Sequence, residues 1–175
     1  MGSRSLKDPF THRKIQSFIG KEYQEQAFAD LAFGIPCVNP ERTFLEKLFL
    51  LHEEFQKPNE KIRVNRLSRH LYDLVRIYQS EHKSKAYNIN LIKEIVEHRE
   101  RFNAIRGMDY NSLYPPNLNA IPPMELLKDW QADYKTMQDF MIPEESPDFM
   151  ELMEVVRKAI NEYNDINIEP MTRLE

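Results

Sequence analysis

Val64, Leu67, Leu71, Leu74 and Tyr78 recur at spacings of three and four, and the same rhythm runs through most of the chain beyond residue 39. Successive strand residues point to opposite faces, so this rhythm gathers one continuous apolar face only on a helix. Phe44, Leu45, Leu48, Leu51, His52 and Phe55 repeat it earlier. Leu91, Ile92, Ile95, Val96 and Phe102 repeat it later, then Leu127, Trp130, Tyr134, Met137 and Met141, then Phe149, Leu152, Val156, Ile160 and Tyr163. The expected fold is mainly α: a bundle of about five helices with a small β element near the N-terminus.

Local signals place the ends. Asn39-Pro40 offers an N-cap followed by proline at the first helical position, and Pro58-Asn59 closes that helix. Phe49 and Leu50 fall outside its stripe, so it is expected to be buried on two sides. The second helix is expected over Arg63 to Ser80 and the third over Asn90 to Asn103, with a polar link, Glu81 to Tyr87, between them. The Asn- and Pro-rich run from Gly107 to Pro123 should be irregular, pinned by Leu113, Tyr114 and Leu118. A fourth helix is expected over Pro123 to Met141, and Ser146-Pro147 caps a fifth. Near the start, Ile15, Phe18, Ile19 and Tyr23 give helical spacing to Thr11–Glu25. Residues 32–38 read as a short strand that Pro36 confines to an edge or an end.

Composition narrows the function classes. At 175 residues and 41% apolar content, the chain can bury a sizeable core. A net charge of −4 argues against wholesale coating of nucleic acid, while leaving a local basic face open. The single cysteine, Cys37, has no internal disulfide partner, which fits a reducing compartment. No apolar run approaches the ~20 residues of a membrane span, and no signal peptide opens the chain, so a cytoplasmic protein is expected. Gly2, Gly20, Gly34 and Gly107 are too scattered to build a glycine-rich phosphate loop. The histidines His52, His70, His82 and His98 show no zinc spacing, and no metal is assigned to them.

The chemistry gathers in two segments. Arg42 and Lys47 follow a helix start, where unpaired N–H groups already favour negative charge. Either Arg42 pairs with Glu46 one turn away and Lys47 snorkels from the apolar edge, or both reach a polyphosphate. On the next helix, Asp73 shares a face with Arg69, His70 and Arg76. That set is either an exposed ion-pair network or a carboxylate held in place with surplus positive charge, Arg69 included, left for a nucleotide.

Taken in order, Val38-x-Pro40-x-Arg42-Thr43-Phe44-x-Glu46-Lys47-x-x-x-Leu51-His52 and Ser68-Arg69-His70-x-Tyr72-Asp73-Leu74 resemble the AbiEii/AbiGii family of nucleotidyltransferase toxins. The likeness continues through His98-Arg99-x-x-Phe102, the stretch from Leu126 to Met137, and Pro147-x-Phe149 to Asn161. The resemblance implies a polymerase-β-like catalytic core followed by a helical C-terminal region. It further implies toxin–antitoxin or phage-defence membership, nucleoside triphosphate as substrate, tRNA as a possible acceptor, and an antitoxin protein as a possible partner. Carried onto this sequence, it gives Arg42, Lys47 and Arg69 as nucleotide-binding residues, and Lys47 and Asp73 as catalytic residues of the third and fourth motifs.

In the full-length family, a Gly-Gly-Thr/Ser motif and an Asp-x-Asp pair grip Mg²⁺ and the triphosphate. Neither motif stands upstream of Arg42 here. Two-metal nucleotidyl transfer needs carboxylates that hold ions about 3.5–4 Å apart, and a lone Asp73 does not supply them. The expectation is therefore that residues 1–38 are a remnant of the catalytic core, with Gly2–Leu6 as a strand end, and that 39–175 form a helical C-terminal domain. On this reading the chain is inactive by itself and no bound Mg²⁺ or nucleotide is expected. The alternative is a non-catalytic helical module that binds a partner such as an antitoxin, or that dimerises through exposed apolar surface.

Overall fold

The computed structural model describes residues 8–142 and 145–167; the expected strand end at Gly2–Leu6 lies outside them. A strand β1 (Phe10–Ile15), a short helix α1 (Phe18–Glu22) and a strand β2 (Phe33–Val38) come first. They are followed by α2 (Pro40–Phe55), α3 (Ser68–Tyr78), α4 (Lys83–Ala86), α5 (Ile89–Phe102), α6 (Leu127–Phe140) and α7 (Phe149–Asn164). Among the described residues five helices are long and two are short. The expected fold class is thus what the chain adopts.

Helix α2 lies at the centre of the body. Asn39 occupies the N-cap position, Pro40 the first turn, and Phe44, Leu45, Leu48, Phe49 and Leu51 are all at most 1% exposed. Its burial on two sides is direct: Phe49 meets Tyr163 of α7 edge-on at 6.1 Å, while Phe44 meets Tyr87 on another side at 6.1 Å. Farther along, Phe55 lies against Trp130 of α6 at 5.0 Å. Such aromatic edges add ~0.5–1.5 kcal/mol each beyond area burial. α7 begins with a capping box, in which Asp148 accepts from the backbone N–H groups of Met150 and Glu151.

The long connection after α5 is irregular but closely held. Leu113 and Leu118 are buried in the core. His52, fully buried on α2, accepts from the Asn119 N–H at Nδ1 (2.8 Å) and lies 2.9 Å from Ser112 Oγ at Nε2. Ser112 Oγ donates onward to the Asp109 carbonyl at 2.5 Å, so the imidazole carries its proton on Nε2. Burial pushes His52 down to about 4, keeping it neutral.

β1 and β2 form a two-stranded antiparallel sheet, with Phe10 opposite Val38 and Ile15 opposite Phe33. All six residues of β1 are exposed. The hairpin joins the body where the Asn39 N–H donates to the Pro9 carbonyl (3.0 Å) and Thr11 Oγ1 donates to Asn39 Oδ1 (2.7 Å).

Several sequence expectations are corrected. Thr11–Ile15 is strand rather than helix, because pairing with β2 outweighs an ambiguous apolar spacing. The helix there is confined to Phe18–Glu22, capped by Ser17. The second helix begins at Ser68 instead of Arg63: Arg66 adopts a left-handed backbone (φ 60°), which ends any helix running through it. The polar link contains the short helix α4. Phe102 and Met141, assigned inward, are 44% and 51% exposed at helix ends. The fifth helix is capped by Asp148 rather than by Ser146.

Candidate functional site

The candidate site forms where α2 and α3 pack together. Lys47 is the eighth residue of α2, beyond the first turn where the helix dipole acts. Its electrostatic partners therefore come from α3. Lys47 Nζ lies 2.7 Å from Asp73 Oδ2 and 3.1 Å from His70 Nδ1. The His70–Asp73 spacing of three places both on one face of α3. The Lys47 side chain is 21% exposed and that of Asp73 41% exposed, so the pair reaches solvent.

His70 and Arg69 are both half-buried. Burial pushes His70 down to about 4, and the cations Lys47, Arg69 and Arg63 reinforce the shift against the opposing Asp73. The imidazole is therefore neutral at physiological pH. Arg69 makes no ion pair among the described residues. Arg63 is drawn instead to the buried Glu54, which it meets through its backbone N–H (2.8 Å) and guanidinium (2.7 Å). Burial alone would raise the Glu54 carboxyl, but Arg63 and Lys57 together hold it below its ordinary value.

The start of α3 has an apolar residue, Leu67, at its N-cap position. The missing acceptor comes from α6. Asp133 takes the Arg66 N–H at 2.7 Å, the Ser68 N–H at 3.1 Å and the Ser68 hydroxyl. A carboxylate at a helix N-terminus satisfies orphan donors and opposes the positive end of the dipole. Asp133 thereby sets where α3 begins, and with it the placement of His70 and Asp73.

Arg42 is not brought to this pair. Five positions separate it from Lys47, about 140° around the helix. Its guanidinium is 2% exposed, donates to the Asp8 carbonyl and to Glu46 (3.1 Å), and lies 3.8 Å from Glu94 of α5. Glu46 in turn meets Arg99 at 2.5 Å, and Arg99 forks onto Glu53 through Nε (2.8 Å) and Nη2 (2.5 Å). This chain of alternating charge staples α2 to α5. Burial acts to lower the Arg99 guanidinium, yet Glu53 and Glu46 raise it overall.

A model of the family described as Nucleotidyl transferase AbiEii toxin, Type IV TA system, matches residues 1–155. The chain belongs to that family. No curated protein and no solved structure matches it. Among the described residues no helix is long and apolar enough to cross a membrane.

The AbiEii family implies Mg²⁺, and the donors present can be tested against it. Asp73 is the only carboxylate paired with Lys47 among the described residues, and Lys47 already holds one of its oxygens. No group of three or more His, Cys, Asp or Glu side chains able to hold a metal occurs among the described residues. The donor set near Lys47 does not fit Mg²⁺ without further oxygens.

The sequence points to Lys47, Asp73, Arg42 and Arg69 and places His70 beside Asp73, but gives His70 no contact with Lys47 and gives Asp133 and Arg99 no role in the site. His70 stood in the quoted motif, and its spacing from Asp73 was the available signal. Asp133 stood in a stretch that carries the family resemblance, but its task was hidden because its partners lie 65 and 67 residues away.

Proposed function

We propose that this AbiEii-family chain binds the phosphates of a nucleoside triphosphate through Lys47 and Arg69, with Asp73 holding the lysine in register. The 2.7 Å contact between Lys47 and Asp73 at a solvent-reaching crossing carries this reading. A lysine ammonium is a compact charge with three donors, suited to phosphate oxygens. Half-buried Arg69 adds a second cation without a competing internal ion pair among the described residues. Arg42 supports the site from below, fixing α2 against α5 through Glu46.

Transfer to an acceptor, with tRNA as the candidate, requires the metal-gripping motifs that this sequence lacks. The chain by itself is proposed to bind without turnover. Incubation with labelled nucleoside triphosphates, Mg²⁺ and bulk tRNA tests this. Binding without incorporation, weakened about tenfold or more in Lys47→Ala, is the expected result. Incorporation by this chain would overturn the inactivity, and unchanged binding in Lys47→Ala would overturn the site.

A second reading, a module that docks a partner, is favoured by the exposed apolar side chains of the hairpin region. Phe18, Leu31 and Phe28 are 89%, 87% and 67% exposed. Large exposed apolar side chains mark interaction surfaces where they gather into a patch. An antitoxin or a second copy of the chain are the candidate occupants. Loss of a light-scattering dimer, or of antitoxin binding, on Phe18→Ser with Leu31→Ser would support it.

A further inference from the structure

We infer that His70 is a positioning residue: its Nδ1 lone pair and the Asp73 carboxylate form a two-pronged seat for the Lys47 ammonium, leaving the third ammonium N–H for an incoming anion. The inference rests on the phosphate-binding reading above and adds to it a residue with a distinct chemical task.

The geometry carries the argument. An ammonium has three donors and no acceptor, so a nitrogen 3.1 Å from Lys47 Nζ must be unprotonated. Nδ1 is then the acceptor, and the ring proton sits on Nε2. Asp73 takes a second donor at 2.7 Å. Two directions of the ammonium are thereby occupied by α3, and the remaining donor is free of both.

The seat needs a neutral partner as well as an anionic one. Two carboxylates around Lys47 would compete with a phosphate for the cation, whereas imidazole adds an acceptor without adding negative charge. The groups that face His70 keep it in that state. Lys47 comes from α2, Arg69 and Asp73 from α3, and Arg63 from the segment before α3; burial and the three cations outweigh the single carboxylate. A protonated His70 would lose its lone pair and repel Lys47, so the seat opens only well below neutral pH.

Long-range ¹H–¹⁵N NMR on the whole chain reads the imidazole directly. His70 should remain neutral, protonated on Nε2 alone, as pH falls through 6.5. Lys47→Met should move its titration upward, since a facing cation has gone, and Asp73→Asn should move it downward. Ordinary titration of His70 in the native chain, or indifference to Lys47→Met, overturns the seat. Inorganic tripolyphosphate, measured by calorimetry, supplies the second arm. His70→Asn places an acceptor near the Nδ1 position and should stay within about threefold of native affinity, while His70→Leu should lose about tenfold. Equal losses in both variants, or none in either, overturn the role in binding. If the native chain binds no tripolyphosphate, the phosphate reading fails, and the NMR arm alone decides whether His70 holds Lys47.

Discussion

The hairpin region and the helical body are built on opposite terms. In the body, α2 places five large apolar side chains at 1% exposure or less, and even its charged residues Arg42 and Glu54 are buried with partners. In the hairpin region, Phe10, Ile15, Phe33 and Val38 are each more than 40% exposed, and Phe18 and Leu31 are almost wholly so. Burial of apolar area is what offsets chain entropy, so stability resides in the body, and the hairpin follows through its bonds to Asn39 and Arg42. A two-stranded ribbon without a covered face is marginal alone. Its exposed side chains therefore add little to the stability of the isolated chain.

The most severe way to test this division is to break the charged staple. Arg99→Ala leaves Glu53, and one side of Glu46, without their cation. Removing one member of a buried pair costs about 3–5 kcal/mol, so urea denaturation should show a loss of that order.

Acid gives the next largest effect. His52 is held at about 4 in the fold against 6.5 when free. Its folded value is depressed, so its full contribution is present above 6.5 and is lost as pH falls toward 4. The maximum loss is about 3 kcal/mol. His70 shares both the window and the sign. Urea melts taken down this range should show a falling midpoint, with about half the slope removed in His52→Gln. A flat profile above the range where Glu54 takes its proton would show that the imidazoles are not buried neutral.

The smallest effect sharpens the contrast from the other side. Phe18→Ser and Leu31→Ser remove no packed neighbour in the isolated chain, and each should change stability by less than about 0.5 kcal/mol. A loss comparable with that of a core truncation, ~2–5 kcal/mol, would mean that the hairpin face is covered in solution.

Which parts of this were legible in advance follows from the range of the interactions involved. α2 carries its own start signal and α5 a clear apolar stripe, so their spans could be read closely. α3 could not: its start depends on Asp133 from another helix and on the left-handed Arg66, neither of which periodicity encodes. β1 was mistaken for helix because its defining partner, β2, follows an intervening helix and loop. At the site, the approach of Lys47 to Asp73 could be anticipated from two motif segments on neighbouring helices. The diversion of Arg42 into the fold was foreshadowed by Glu46 four residues on, but Glu94 and the Asp8 carbonyl were invisible. The imidazole acceptor was hidden for a different reason: a histidine letter does not say which nitrogen bears the proton.

Asp133 links distant parts of the molecule in a further way. It grips the first turn of α3 from a different helix, so the start of α3 depends on α6. A change at Asp133 on α6 would therefore be felt at the first turn of α3, the turn that carries His70.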